Sequence, residues 1–160
     1  IVFGDWSSDV CSSDLLYQSM HNLEEAIKHQ ELCLETANKD GNKKAVSTTL
    51  RNLGRLYTLK GDHVNALRSH QKSLELKRVM GDFEGEARNY ETMAQDLEYD
   101  EKYSDAILEY QKALTIYEKL GLHTDHKRIA RAIQYAKELA DHSTDYDDSE
   151  MYEMKAGNFL

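Results

Sequence analysis

Proline is absent from the 160 residues. No helix in the chain is therefore interrupted by the lost N–H and ring clash that proline brings. Cysteine is scarce. Cys11 and Cys33 give neither a disulfide framework nor a zinc spacing. Long apolar runs are missing, which excludes a membrane-spanning helix of about 20 residues. No charged-plus-apolar leader of the signal-peptide kind is present. The expectation is an intracellular, cytoplasmic protein, with a nuclear location as the alternative.

Chemistry-bearing motifs are lacking too. There is no phosphate-cradling glycine loop and no serine nucleophile elbow. His123, Asp125 and His126 sketch a metal site, but zinc takes three or four protein ligands and no second cluster accompanies them. They read as a surface helix start. No catalysis, cofactor or metal is expected. Basic excess is also missing. The net charge is -9, and it is uneven: residues 1–14 carry three acids and no base, residues 141–160 six acids and one base. The remaining 15–140 are nearly neutral, so direct nucleic-acid binding is not expected.

What the chain does have is a period. Ala26, Ala66 and Ala106 recur at a spacing of 40, as do Leu34, Leu74 and Leu114, and Gly41, Gly81 and Gly121. Self-similarity at a fixed period of 20–50 residues marks a solenoid. Each period holds two stretches with apolar residues at spacings of three and four, the pattern of one helical face. Helices are predicted at 22–39, 43–59, 62–79, 83–99, 102–119 and 124–140. Glycines after them suit left-handed helix ends, and Gly61-Asp62 and Gly81-Asp82 add a cap. Gly54 lies inside a helix, where glycine costs about 1 kcal/mol against alanine. Close approach of a neighbouring helix is the expected compensation.

Three segments follow. Residues 1–14 stand outside the period, and the run from Asp5 to Leu15 resembles the conceptual translation of a sequencing-library adapter. They are read as an artefactual or disordered N-terminus. Residues 15–140 are read as a truncated first repeat, two full repeats and a terminal helix. From Asp141 to residue 160 the apolar period fades, and an acidic, flexible tail is expected. Truncation would leave the face near Ala26 and Leu34 open, so self-association through the first repeat is a further expectation.

The repeat resembles the tetratricopeptide repeat. Leu53-Gly54-Arg55-Leu56-Tyr57 followed by Ala66 fits that family's spacing, with His70 in the aromatic place and Tyr110 in the same place one repeat on. The family's terminal proline is missing, and the period is longer than the usual 34. The run from Gly81 to Ala87 is similar to the longer-repeat subclass of Partner-of-Inscuteable-type and Tonsoku-like scaffolds. The resemblance implies an all-α fold, a right-handed α-solenoid of stacked antiparallel helix pairs. It implies protein binding in a concave groove lined by the first helix of each pair. By that analogy the partner-binding residues are Arg51, Asn52, Arg55, Arg88, Gln95, Arg128 and Arg131. Arg51 and Arg55 are one turn apart, and guanidinium groups pair with carboxylates. The expected partner is a protein or peptide segment, with an acidic one favoured. The alternatives are a regulatory segment of a larger signalling or enzyme polypeptide and a nuclear Tonsoku-like repair scaffold.

Overall fold

The computed structural model describes residues 23–156, with side chains described for 23–142. The expectations for residues 1–14, and for the start of the first repeat, lie outside this range. Six helices follow one another: α1 Leu23–Lys39, α2 Lys43–Lys60, α3 His63–Met80, α4 Phe83–Tyr99, α5 Tyr103–Lys119 and α6 His123–Ala156. No strand occurs among the described residues. The expected all-α fold is found, and most helix boundaries fall within a residue of their predicted places. The exception is α6. It continues through the acidic stretch after Ala140, where a flexible tail was expected, and ends at Ala156.

Connections of two or three residues reverse the chain between helices. Each is the same turn. The residues at 41, 61, 81, 101 and 121 all take positive φ, between 60° and 80°. In each, the amide at that position donates to the carbonyl three residues back, and the next amide to the carbonyl five back; Gly61 N to Thr58 O is 2.9 Å and Asp62 N to Tyr57 O is 2.8 Å. This closes the helix end with its otherwise orphaned carbonyls satisfied. Asn42, Asp62 and Asp82 then cap the next helix, accepting the amides of Ala45, Asn65 and Gly85 at 3.0, 3.1 and 2.9 Å.

The fourth turn breaks the rule. Glu101 takes φ 60° where the others have glycine, and Lys102 offers no side-chain cap to α5. A side chain in the left-handed region costs about 1–2 kcal/mol. Part of that cost is offset because glycine also loosens the unfolded chain, by about 0.4–1 kcal/mol. Glu101→Gly is therefore expected to stabilise by about 0.5–1 kcal/mol, read as a higher urea midpoint with unchanged slope. The same substitution at an ordinary helical position would destabilise.

The chain divides into two compact units, residues 1–92 and 93–160, with α4 contributing to both. In the first, α2 packs against α1 on one side and α3 on the other. Ala26, Ile27, Leu53 and Leu56 form one buried cluster, and Ala37, Val46 and Leu50 a second. Ala26 is thus covered by α2 and Leu34 is half-buried. Between α2 and α3, Ser73 Oγ donates to Ser47 O at 2.6 Å, both buried. A small residue at 73 is what lets the backbones come that close. The start of α4 is tied to α3 by Asn89 Nδ2, which donates to His70 O at 3.4 Å. Arg78 Nε donates to Glu86 Oε1 at 2.7 Å, and its guanidinium lies over the Tyr90 ring while bonding the hydroxyl. In the second unit α5 packs against α6. Ala106, Ala113, Tyr117, Ile129 and Ala136 are buried there.

Candidate functional site

A helix packed on both sides has little surface left. On α2, Val46, Ser47, Thr49, Leu50, Asn52, Leu53, Gly54, Leu56 and Thr58 are all buried. What remains along the middle of the helix is a narrow stripe at spacings of three and four: Lys44, Thr48, Arg51, Arg55 and Leu59. α3 differs, with more than half of its positions exposed. Of these two helices α2 is the confined one.

Arg51 and Arg55 share this stripe and are both half-buried. Four residues at 1.5 Å rise place them about 6 Å apart along the axis. Arg55 makes no ion pair among the described residues, whereas Arg51 does interact with its surroundings. Lys44 begins the stripe and is exposed. The stripe is therefore cationic along its length and ends on the apolar Leu59.

Asn52 does not belong to it. Its side chain lies on the packed side of α2, only 5% exposed and engaged there. The expectation that Asn52 meets a ligand backbone is corrected: one residue past Arg51 is 100° around the helix, enough to leave the stripe.

The same register continues on α4. Arg88 is exposed and ion-paired with Glu84 one turn before it. An exposed pair of this kind contributes a few tenths of a kcal/mol at most. It also leaves Arg88 with a carboxylate already beside it. In the second unit Gln95 and Tyr99 are exposed on α4. Glu98 turns inward, and its Oε2 accepts the Tyr110 hydroxyl at 2.9 Å. Burial holds the Glu98 carboxyl above the usual carboxylate range, against the opposing pull of that hydrogen bond. On α6, Arg128 and Arg131 are one turn apart and exposed, with Tyr135 following. Arg128 donates to Asp125 Oδ1 at 2.8 Å, so Arg131 is the more available cation there.

Of the seven expected partner-binding residues, then, Arg51 and Arg55 come together in the first unit, and Arg128 and Arg131 in the second. Lys44 was not among them. Its signal was present, since it lies seven residues before Arg51, two turns along the same face.

Among the described residues no three of His, Cys, Asp and Glu converge as metal ligands. Asp125 is engaged with Arg128 rather than aimed with His123 and His126 at a common point. Among the described residues no helix is long and apolar enough to cross a membrane.

A comparison with curated proteins gives no match for this chain. The family comparison does: residues 15–78, which contain α1, α2 and nearly all of α3, match the tetratricopeptide repeat family model, a repeat whose general role is protein–protein interaction.

Proposed function

We propose that this chain is a non-catalytic protein-binding module that works inside the cell and holds an acidic peptide or helical segment along its first-helix surfaces, foremost on α2. The observation that supports the reading most strongly is the α2 stripe. Arg51 and Arg55 are half-buried on a helix packed on both sides, one turn apart, with Lys44 on the same face. Half-burial restricts their rotamers before any ligand arrives, so less side-chain entropy is lost on binding. It also lowers the local dielectric, which strengthens a guanidinium–carboxylate bond relative to a fully exposed pair.

The test is fluorescence anisotropy of a labelled glutamate-rich peptide titrated with the full chain. A charge-assisted hydrogen bond contributes about 1.5–3 kcal/mol. Reversing both arginines, Arg51→Glu with Arg55→Glu, is expected to weaken binding at least about tenfold, since 1.4 kcal/mol is a factor of ten. Affinity should also fall with salt. Equal affinity for the variant and the parent chain would sink the reading and leave the arginines as solvation.

A further inference from the structure

We infer that the partner of the α2 stripe carries charge of both signs: a row of carboxylates toward α2 and, beside it, a basic side chain toward Glu84 at the start of α4. This rests on the reading of the stripe as an acidic-segment site and adds the second half of its ligand.

The stripe has a counterpart one period on. Lys44, Arg51 and Arg55 on α2 correspond, at a spacing of 40, to Glu84, Glu91 and Gln95 on α4. Two cations are replaced by carboxylates and the third by a neutral amide. Only Arg88, in the place of Thr48, adds a positive charge to the α4 row. Glu84, Arg88 and Glu91 belong to the same compact unit as α2. The two rows also run in the same order. Ser47 meets Ser73 while Gly54 meets His70, so α2 and α3 are antiparallel. His70 meets Asn89 while Arg78 meets Glu86, so α3 and α4 are antiparallel too. α4 therefore runs in the direction of α2. The starts of the rows are close: Lys44 is one of the charges that act on the Asp82 carboxyl, and Asp82 directly precedes α4. A segment lying on the stripe near Lys44 thus comes within range of Glu84, since charges act on one another over about 10 Å at 0.1 M salt.

Glu84 can take a base without giving up Arg88. Its Oε1 accepts the Arg88 guanidinium, and its side chain is half-exposed. A carboxylate has about four lone-pair sites on its two oxygens, so Oε2 can accept a donor from outside. Glu91 is half-buried and already engaged, which leaves Glu84 as the acid in this row that an incoming base can reach. A segment that is acidic all round meets repulsion at this point, and one with a lysine or arginine there meets attraction. Repulsion of the wrong partner is a general source of specificity. A helical segment satisfies both rows at once: glutamates at steps of three and four form one face, and the residues beside them point about 100° away.

The experiment is fluorescence anisotropy of two labelled peptides of equal length, titrated with the full chain at low ionic strength. Both carry glutamates at steps of three and four along one helical face. The two flanking faces carry lysines in one peptide and glutamines in the other. The lysine peptide has the smaller net negative charge, so attraction to the α2 stripe alone would make it the weaker ligand. It is expected instead to bind about two- to fivefold more tightly, the strength of an exposed ion pair. Glu84→Gln should abolish that preference while binding the glutamine peptide at least as well as the parent chain does, which also shows that the variant is folded. Equal or weaker binding of the lysine peptide to the parent chain overturns the inference. So does a preference that survives Glu84→Gln. If the preference is absent but reversal of Arg51 and Arg55 weakens both peptides, the inference fails and the proposed function stands; if neither peptide binds the parent chain, both fail.

Discussion

Asp82→Ala is expected to lower stability by about 3 kcal/mol, the lower end of the cost of breaking a buried ion pair by removing one partner. Lys77 is the reason. Its side chain is 6% exposed, and its ammonium meets Asp82 Oδ2 at 2.7 Å. The other carboxylate oxygen accepts the Gly85 amide at 2.9 Å and so begins α4. One side chain therefore neutralises a buried cation and caps a helix. Gly85 is the condition for this arrangement. A Cβ there would stand 2.2 Å from Asp82 Oδ2 and 2.6 Å from Lys77 Nζ, so Gly85→Ala should destabilise in the same direction despite alanine's better helix propensity. Urea unfolding of both variants checks this; a Gly85→Ala protein as stable as the parent would show that the pair is not held as described.

The same contact sets an acid dependence. Burial alone would push the Asp82 carboxyl up. The Lys77 hydrogen bond, the Gly85 amide and the charges of Lys77 and Lys44 overcome it and hold the group below the usual aspartate range. A carboxyl lowered in the folded state stabilises fully above its unfolded pKa, and that stabilisation is lost as pH falls through the folded value. Stability of the parent should drop through this acid window, and the Asp82→Ala protein should lose less there because it has less to lose.

Gly54→Val is expected to cost about 1–3 kcal/mol through overpacking. An added Cβ at 54 would lie 2.5 Å from His70 Cε1 and Nε2 and 2.8 Å from Cδ2. The ring has little room to swing away, because His70 is only 3% exposed. Gly54→Ala should cost less, since about 1 kcal/mol of helix propensity is regained. Replacing the imidazole should reverse the sign: in a His70→Ala background, Gly54→Ala should be neutral or stabilising. Additive single and double variants in a thermodynamic cycle would remove the contact as the cause. One period on, Ala94 and Tyr110 stand at the corresponding positions, and both are buried. The constraint thus belongs to the Gly54–His70 pair and not to the register in general.

The sequence by itself determined the helices, their number and their turns. Periods of 3.6 and 40 are properties of the chain, and a glycine followed by aspartate or asparagine states a helix end and the next helix start locally. It also indicated that Gly54 meets a neighbour, because a mid-helix glycine has a cost that only close packing offsets. Tertiary structure decided how close that approach is and which atoms make it: the His70 ring, within 3 Å of where a Cβ would stand. It likewise decided what each first-helix residue can offer. Arg51 and Asn52 are adjacent in sequence, yet packing of α1 and α3 on α2 leaves one in the stripe and takes the other inside. Arg88 and Arg128 look like Arg55 in the sequence, but each has a carboxylate one turn away that takes up its charge. The Lys77–Asp82–Gly85 arrangement was visible only as a Gly-Asp turn with a second glycine. That the second glycine makes room for a buried ammonium follows from where the α3 end and the α4 start meet, and sequence spacing does not record that distance.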